Sequence, residues 1–129
     1  MAYVVKGFDN VLSRMLEVLK SARREAVIFI PTFNIYDQMA KTIANLRREG
    51  VKVKLALPPK MRKELQNGER SEIRTMSPNC HHCWLAVVDD KTMISSSEWM
   101  TERCHAILTQ DPVLVAVTRE YFENPRCCT

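Results

Sequence analysis

The chain has 129 residues, long enough for one domain with a substantial core, and its 46% hydrophobic and 26% charged residues are typical of a globular protein. This composition excludes intrinsic disorder as the default, and we expect a single domain over residues 1–129. The formal net charge of +4 comes from short basic clusters such as Arg23-Arg24 and Arg47-Arg48. No Gly-aromatic or Arg-rich recognition stretch accompanies them, which argues against a nucleic-acid-binding surface.

The sequence carries no signal for a membrane or for export. No apolar run approaches the roughly 18 residues needed to span a bilayer, and the first residues lack the charged-then-apolar order of a signal peptide. We therefore expect a cytoplasmic protein with no membrane partner. The cysteines are odd in number and lie in the C-terminal half, which favours metal binding or redox chemistry over a secreted disulfide framework: Cys80, Cys83, Cys104, Cys127 and Cys128.

The first half of the chain predicts alternating helices and strands. Apolar residues at helical spacing over residues 8–23 predict an amphipathic helix, and "AVIFIP", residues 26–31, is an apolar run of strand length. Helical spacing returns over residues 34–49, and "VKVKLALP", residues 51–58, predicts a second strand. This order of strand, helix and strand indicates a βαβ unit, in which the two strands are parallel and the crossover is right-handed.

Shorter elements are predicted in the second half. Residues 84–88 and 92–96 are strand-like and are joined by Asp89-Asp90-Lys91, which predicts a hairpin. Asp111-Pro112 is typical of a helix start, and Val113, Val117 and Tyr121 share one face of the helix that follows. We also expect a short helix at 60–66 and strands at 72–76 and 105–109. The whole chain predicts an α/β fold with a mixed, mostly parallel sheet flanked by helices.

The most distinctive motif is "NCHHCW", residues 79–84. The C-x-x-C spacing of Cys80 and Cys83 lets two thiolates hold one metal ion, and His82 offers an imidazole between them. Because a second C-x-x-C is missing, three readings remain open: a metal or iron–sulfur site, a thiol switch without metal, and inert cysteines beside surface histidines. Zinc suits mixed Cys/His ligation, whereas an iron–sulfur cluster would use Cys80, Cys83, Cys104 and one of Cys127 or Cys128.

Residues 82–99 resemble the phospholipase D superfamily signature H-x-K-x-x-x-x-D with its downstream partner G-S-x-N. In that family the histidine is the nucleophile on phosphorus, the lysine neutralises the phosphoryl oxygens and the aspartate belongs to the supporting shell. His82 and Asp89 match the pattern, but Trp84 occupies the lysine position, Ser96 the glycine position and Trp99 the asparagine position. The resemblance therefore implies a phospholipase D-like fold without phosphodiesterase chemistry, because the cation that stabilises the transition state is missing.

Longer segments resemble a related family. The stretches "YVVKGFDNVLSRMLEVLKSARREAVIFIP", "LRREGVKVKLALP", "VVDDKTMISSS" and "DPVLVAVTREYFE" look like the C-terminal effector domain of archaeal TrmB-type transcriptional regulators, which has this same degenerate fold. The similarity covers nearly the whole chain in the order and spacing of its elements. In such regulators a winged-helix domain precedes the effector domain. We find none in this sequence, so we expect contact with DNA only through a separate domain.

The resemblance to phospholipase D-like proteins makes Cys104 a further candidate site residue. Chains of this fold often carry an acidic residue soon after the signature, at the start of the next strand and facing the site, and Cys104 falls at about that place. The resemblance then implies that Cys104 converges with Cys80, His82 and Cys83. Cys127 and Cys128 are further candidate ligands, from the same chain or from a partner.

These observations lead to one main hypothesis and two alternatives. We expect a non-catalytic sensory domain of a TrmB-like regulator that detects a metal ion or redox state through the cysteine-histidine cluster, with zinc or an iron–sulfur cluster as cofactor. The alternatives are a phosphodiesterase or nuclease that uses His82 and Asp89, and a sugar-binding effector domain with incidental cysteines. Trp84 and Trp99 are expected in the core or in the wall of a ligand pocket. One-signature phospholipase D-like proteins pair, so the resemblance also implies a homodimer.

Overall fold

A computed structural model describes residues 2–64, 71–75, 84–99 and 101–123 of the chain. The seven strands among these residues are β1 (Ala2–Lys6), β2 (Glu25–Phe29), β3 (Lys52–Leu57), β4 (Ser71–Thr75), β5 (Trp84–Val88), β6 (Thr92–Ser97) and β7 (His105–Thr109). The four helices are α1 (Phe8–Lys20), α2 (Phe33–Arg48), α3 (Pro59–Glu64) and α4 (Pro112–Glu123). Within these ranges no helix has the length and apolar character needed to cross a membrane.

The strands form one mixed sheet in the order β1-β7-β6-β5-β2-β3-β4. The predicted α/β class with helices around a mixed sheet is confirmed, and β2, α2 and β3 form the predicted parallel βαβ unit. The expectation of mostly parallel pairing is wrong for this sheet, because only β2–β3 and β3–β4 are parallel and the other four pairings are antiparallel. The reason lies in the connections: β5, β6 and β7 are joined by links too short for the crossover that a parallel pair needs.

The two faces of the sheet bury separate clusters. The first face, which we call the α1 face, packs against α1 and α2, and the opposite face, the α4 face, packs against α4. Along β5 the side chains alternate between them as strand geometry requires, with Trp84, Ala86 and Val88 on the α1 face and Leu85 and Val87 on the α4 face. Both faces of the central strands are therefore covered, which explains the continuous apolar runs in the sequence.

Helix α4 begins as the sequence predicts. The carboxylate of Asp111 accepts hydrogen bonds from the backbone N–H groups of Val113 (2.8 Å) and Leu114 (3.3 Å), which caps the helix. The helix is anchored by Val115 and Phe122, which are 3% and 0% exposed, while Val113 points outward. The apolar first half of α4 thus contacts the sheet mainly through Val115.

A charge network fixes the second half of α4 on the sheet. Lys54 of β3 has only 8% of its side chain exposed and lies 3.3 Å from the Glu25 carboxylate of β2. Arg119 of α4 forms an ion pair with the same carboxylate. Glu123, at the end of α4, lies 3.9 Å from Lys54 and 3.3 Å from Arg74 of β4. The carboxylate of Glu25 is therefore shared by a cation of the sheet and a cation of the helix.

Removing this shared carboxylate should cost more stability than removing the buried lysine. Glu25→Gln leaves two cations without their common partner, and we expect the free energy of unfolding to fall by about 2–3 kcal/mol in urea denaturation. Lys54→Met replaces a buried ammonium with an apolar chain while Arg119 still neutralises Glu25, so the expected change is below about 1 kcal/mol. Equal losses for the two variants would contradict this ranking.

Asp89 holds together the turn that precedes β2. It follows β5 with a positive φ of 54°, and its carboxylate accepts hydrogen bonds from three successive backbone N–H groups, those of Arg23 (2.9 Å), Arg24 (2.7 Å) and Glu25 (2.9 Å). Its own N–H donates to the carbonyl oxygen of Glu25 at 2.9 Å. One side chain therefore joins the end of α1, the start of β2 and the end of β5.

Loss of the Asp89 carboxylate should destabilise the fold. Asp89→Ala leaves three backbone donors without their acceptor, and we expect a loss of about 2–3 kcal/mol in thermal or urea unfolding. Asp90→Ala is the matched control, because Asp90 also has a positive φ, of 53°, but lacks this set of bonds. The same backbone strain then applies to both variants, and a loss for Asp90→Ala as large as that for Asp89→Ala would contradict the assigned role.

Candidate functional site

The candidate site lies at one end of the sheet on the α1 face. The register places Trp84 at the start of β5 opposite Ser96 near the end of β6, and Ser96 opposite Ala106 of β7. Cys104 directly precedes β7, and its carbonyl oxygen accepts a hydrogen bond from Gly7 N at 2.7 Å. Gly7 has a positive φ of 91° and precedes α1. The beginnings of β5, β7 and α1 and the end of β6 therefore meet here.

Trp84 fills the centre of this region. Its side chain is 0% exposed and belongs to the core of the α1 face, and its ring centroid lies 6.0 Å from that of Phe8, at an interplanar angle of 32°. The buried indole Nε1 has no hydrogen-bond partner among the described residues. Trp99 is half-buried and packs against the same core. At the position where the resemblance places a lysine, the chain thus has an indole enclosed by protein.

Ser96 and Cys104 lie side by side next to Trp84. The Ser96 Oγ and the Cys104 Sγ are 3.7 Å apart, and the same Oγ donates a hydrogen bond to the carbonyl oxygen of His105 at 3.2 Å. Both residues are buried, with exposures of 3% and 1%. The positions corresponding to the glycine and the acidic residue of the phospholipase D pattern are therefore adjacent in space, but they carry a hydroxyl and a thiol.

A cleft beside Cys104 lies on the α4 side of β1 and β7, on the other side of the sheet from the indole of Trp84. This cleft, of about 370 Å³, is lined by Lys6, Arg103, Glu98 and Glu102 among others. Arg103 Nε lies 3.5 Å from the Glu98 carboxylate. Among the described residues, two cations and two carboxylates thus line this cleft, and their formal charges cancel.

The structure separates Asp89 from the rest of the degenerate signature. Trp84 begins β5 and Asp89 follows its last residue, so the two lie at opposite ends of the strand, about 16 Å apart along it. The carboxylate of Asp89 accepts hydrogen bonds from backbone N–H groups of the turn before β2. This contact is consistent with the supporting role that the resemblance implies for the aspartate.

Most of the predicted metal ligands lie outside the described residues: Cys80, His82, Cys83, Cys127 and Cys128. Among the residues that are described, no group of three or more histidine, cysteine, aspartate or glutamate side chains is placed to hold a metal ion. Cys104 is the described member of the predicted set. Their convergence therefore stays a prediction, although Trp84, the residue after Cys83, does lie at the same end of the sheet as Cys104.

Two features of the site were not predicted from the sequence. Phe8 was assigned only to the amphipathic helix, yet it packs on Trp84, and Gly7 provides the link to Cys104. A glycine directly before a helix is a signal that could have identified the second feature, because a positive φ favours glycine. The first has no local signal, since Phe8 and Trp84 are far apart in the chain.

Comparison with known proteins identifies the family and the fold. The family model described as "Transcriptional regulator TrmB, EBD N-terminal subdomain" matches residues 1–125. No curated protein sequence matches the chain significantly. Among solved structures, NucT from Helicobacter pylori is similar with a TM-score of 0.78 and 15% identity, over 95% of this chain and 93% of that chain.

Two further structures link the fold to regulators and to the phospholipase D family. TrmBL2, described as an archaeal chromatin protein with a novel mode of DNA binding, has a TM-score of 0.74 and 19% identity over 95% of this chain, which spans 50% of that chain. Nuc from Salmonella typhimurium, described as a phospholipase D family member, has a TM-score of 0.67 and 16% identity, over 96% of this chain and 92% of that chain. At these identities the structures show the fold alone. The chain belongs to the family of TrmB-type transcriptional regulators, matches the EBD N-terminal subdomain of that family and has a phospholipase D-like fold.

Proposed function

We propose that the chain is a non-catalytic sensory domain of an archaeal TrmB-type regulator. The observation that carries this proposal is the complete burial of Trp84 at the position that corresponds to the catalytic lysine. A phosphodiesterase of this fold stabilises the phosphoryl oxygens with a preorganised cation. An indole enclosed by the core cannot supply that charge, and the space it fills is closed to a phosphate.

Five of the described cations are engaged by carboxylates, which makes each a poor substitute for the lysine. Arg103 at the mouth is paired with Glu98, and elsewhere Arg14, Lys54, Arg74 and Arg119 each lie within 4 Å of a carboxylate. The same pairing argues against direct binding of DNA by these residues, because a nucleic-acid surface needs basic groups available to phosphates. We therefore place DNA contact in a separate DNA-binding domain and the regulator in the cytoplasm.

The purified protein should not hydrolyse phosphodiesters. We expect no turnover of bis(p-nitrophenyl) phosphate or of single-stranded DNA above that of a His82→Ala variant measured in parallel. Turnover that disappears in His82→Ala would contradict the proposal and would establish the phosphodiesterase alternative.

Trp84→Lys tests the burial directly: we expect it to lower the free energy of unfolding by about 3–5 kcal/mol and to restore no activity. Trp84→Phe is the matched control and should cost less than half as much.

We further propose that the signal is a metal ion or a change of redox state at Cys80, His82, Cys83 and Cys104. The placement of Cys104 supports this, because its thiol lies at the sheet end where β5 begins, directly after Cys83. Strands β5 and β7 lie on either side of β6, so their starts are about 10 Å apart, and the ligands would have to hold one metal ion across the end of β6. At such a site the thiolates and the imidazole would bind zinc with tetrahedral geometry, or the thiolates would bind an iron–sulfur cluster.

Metal analysis of anaerobically purified protein tests the sensing proposal. We expect close to stoichiometric zinc, or iron with sulfide and visible absorption, and loss of that metal in Cys80→Ser/Cys83→Ser. Cys104→Ser should lower metal content as well if its thiol is a ligand. Cys127→Ser/Cys128→Ser shows whether the terminal cysteines contribute. Unchanged metal content in the Cys80→Ser/Cys83→Ser variant, or absence of metal together with unreactive thiols, would overturn the proposal.

We also propose that the domain works as a homodimer. Phospholipase D-like chains with one signature pair, and this chain resembles them. Support from the structure comes from exposed apolar residues on β1, β7 and α4, which a second copy could cover. Measurement of the molar mass in solution tests this proposal.

A further inference from the structure

A cleft of about 490 Å³ opens between α1 and the sheet, at the end of the sheet away from Cys104. It lies where β6 begins and β7 ends, and its lining residue Gln110, which follows β7, is about 20 Å along the strand from Cys104. The volume falls within the range of about 300–1,000 Å³ that is typical of small-molecule sites. The cleft is therefore of ligand size and is separate from the degenerate phospholipase D centre.

Part of the lining of this cleft is apolar. Val18 of α1 is 7% exposed and belongs to the core of the α1 face, and Leu108 of β7 packs against the same core. Tyr3 of β1 pairs with Leu108 in the sheet and is 57% exposed. Its aromatic ring offers a surface on which a second aromatic ring packs favourably. This part of the cleft therefore suits an apolar group, and an aromatic one best.

A cation and a carboxylate lie side by side in the same lining. Arg14 Nη1 is 3.8 Å from the Glu17 carboxylate, and the two side chains are 48% and 72% exposed. This distance is longer than a hydrogen bond, so the five N–H donors of the guanidinium make no hydrogen bond to the described residues. An exposed ion pair of this kind contributes little to stability, and a ligand can replace it at small cost.

We propose that this cleft binds an α-amino acid with an aromatic side chain. The carboxylate of the ligand accepts hydrogen bonds from Arg14, and its ammonium group donates to Glu17. In an α-amino acid both charged groups are attached to one carbon atom, so they are as close together as the two protein charges. A ligand with a single charge would leave one member of the pair without a partner, whereas a zwitterion satisfies both. This site is additional to the proposed metal or redox site.

Polar groups at the end of β7 complete the cleft. Gln110 Nε2 donates a hydrogen bond to Thr92 Oγ1 at 3.2 Å. This bond leaves the amide oxygen and one N–H of Gln110, and the hydroxyl hydrogen of Thr92, available to a ligand. Such groups can bond a phenol hydroxyl or an indole N–H, so the side chains of tyrosine and tryptophan fit this chemistry as well as that of phenylalanine.

A neutral sugar matches the lining less well. A sugar has no charge, so it would leave Arg14 and Glu17 to each other and gain little from their opposite signs. Its hydroxyl groups would also face Val18 and Leu108, and a hydroxyl that is buried against apolar groups without a hydrogen-bond partner is unfavourable. The charge pair and the apolar surface together therefore favour an amino acid.

Helix α1 connects the cleft to the degenerate centre. Its second half lines the cleft, and its first residue, Phe8, packs on Trp84. Gly7, which precedes the helix, is bonded to the carbonyl oxygen of Cys104. An amino acid that holds α1 against the sheet would therefore act on the same helix as a change at Cys104. This consequence rests on the proposed sensory function, whereas binding of the amino acid does not.

Isothermal titration calorimetry of the full chain with L-phenylalanine tests the proposal. We expect binding to one site per chain that saturates below about 10 mM ligand. The analogue 2-phenylethylamine lacks the carboxylate, and 3-phenylpropionate lacks the ammonium group. Each analogue should bind at least about tenfold more weakly than L-phenylalanine, because it loses charge-assisted hydrogen bonds to one member of the pair.

Two variants test the assigned residues. Arg14→Met and Glu17→Gln should each weaken the binding of L-phenylalanine at least about tenfold. Lys20→Met is the matched control, because it removes a positive charge from an exposed position of the same helix outside the lining, and it should bind like the unmodified chain. Methionine and glutamine are good helix formers, so all three variants should keep the midpoint of thermal unfolding, which separates loss of binding from loss of the fold.

Three results would overturn the proposal. The first is the absence of saturable binding of both L-phenylalanine and L-tryptophan. The second is binding that Arg14→Met and Glu17→Gln leave intact, which would place the amino acid elsewhere. The third is saturable binding of glucose without any response to the amino acids, which would favour a sugar. Metal content and phosphodiesterase activity are measured separately, so each of these results leaves the proposed function standing.

Discussion

The structure depends on the burial of one indole at the end of the sheet. Trp84 is the first residue of β5, is fully enclosed, and packs against Phe8 at the start of α1 and beside Ser96 on β6. Burying a large aromatic side chain is among the most favourable single contributions to a small core. In the phospholipase D pattern this position carries a lysine directed at a phosphate. In this chain the position is part of the hydrophobic core, which supports the proposal that the domain is not catalytic.

The residues around Trp84 also differ from the enzyme pattern. A serine and a thiol stand where the pattern has a glycine and an acidic residue, and Arg103 nearby pairs with the Glu98 carboxylate. The backbone of Cys104 is bonded to Gly7, which directly follows β1. A change at Cys104 would therefore reach the end of β1 and the start of α1 through one hydrogen bond.

Local patterns predicted the elements, but not how the strands pair. The βαβ unit, the hairpin of β5 and β6 and the cap at Asp111 follow from periodicity and turn chemistry over a few residues, and all three are confirmed. The predominance of antiparallel pairing depends on which strands lie side by side, and sequence periodicity does not contain that information. Strand β1 was missed because five residues without alternation give no strand period.

Contacts between residues that are far apart in the sequence also explain what the site prediction missed. Lys54 alternates with apolar residues in "VKVKLALP" and would be expected in water, yet it is buried because Glu25 on the neighbouring strand compensates its charge. The degenerate signature names both Trp84 and Ser96, and the structure places them opposite each other in one hairpin. Phe8 and Gly7 could not be placed, because their contacts join the N-terminal helix to residues that are distant in the chain.

The burial of Trp84 can be measured directly by fluorescence, because the chain has only two tryptophans. In a Trp99→Phe variant the emission comes from Trp84 alone. A fully enclosed indole without a hydrogen-bond partner should emit at short wavelength and resist quenching by iodide in the folded protein, and both properties should be lost in urea. Emission at the wavelength of a hydrated indole, with iodide quenching as strong as in the unfolded chain, would show that the site is open and would contradict the proposal that the domain is not catalytic.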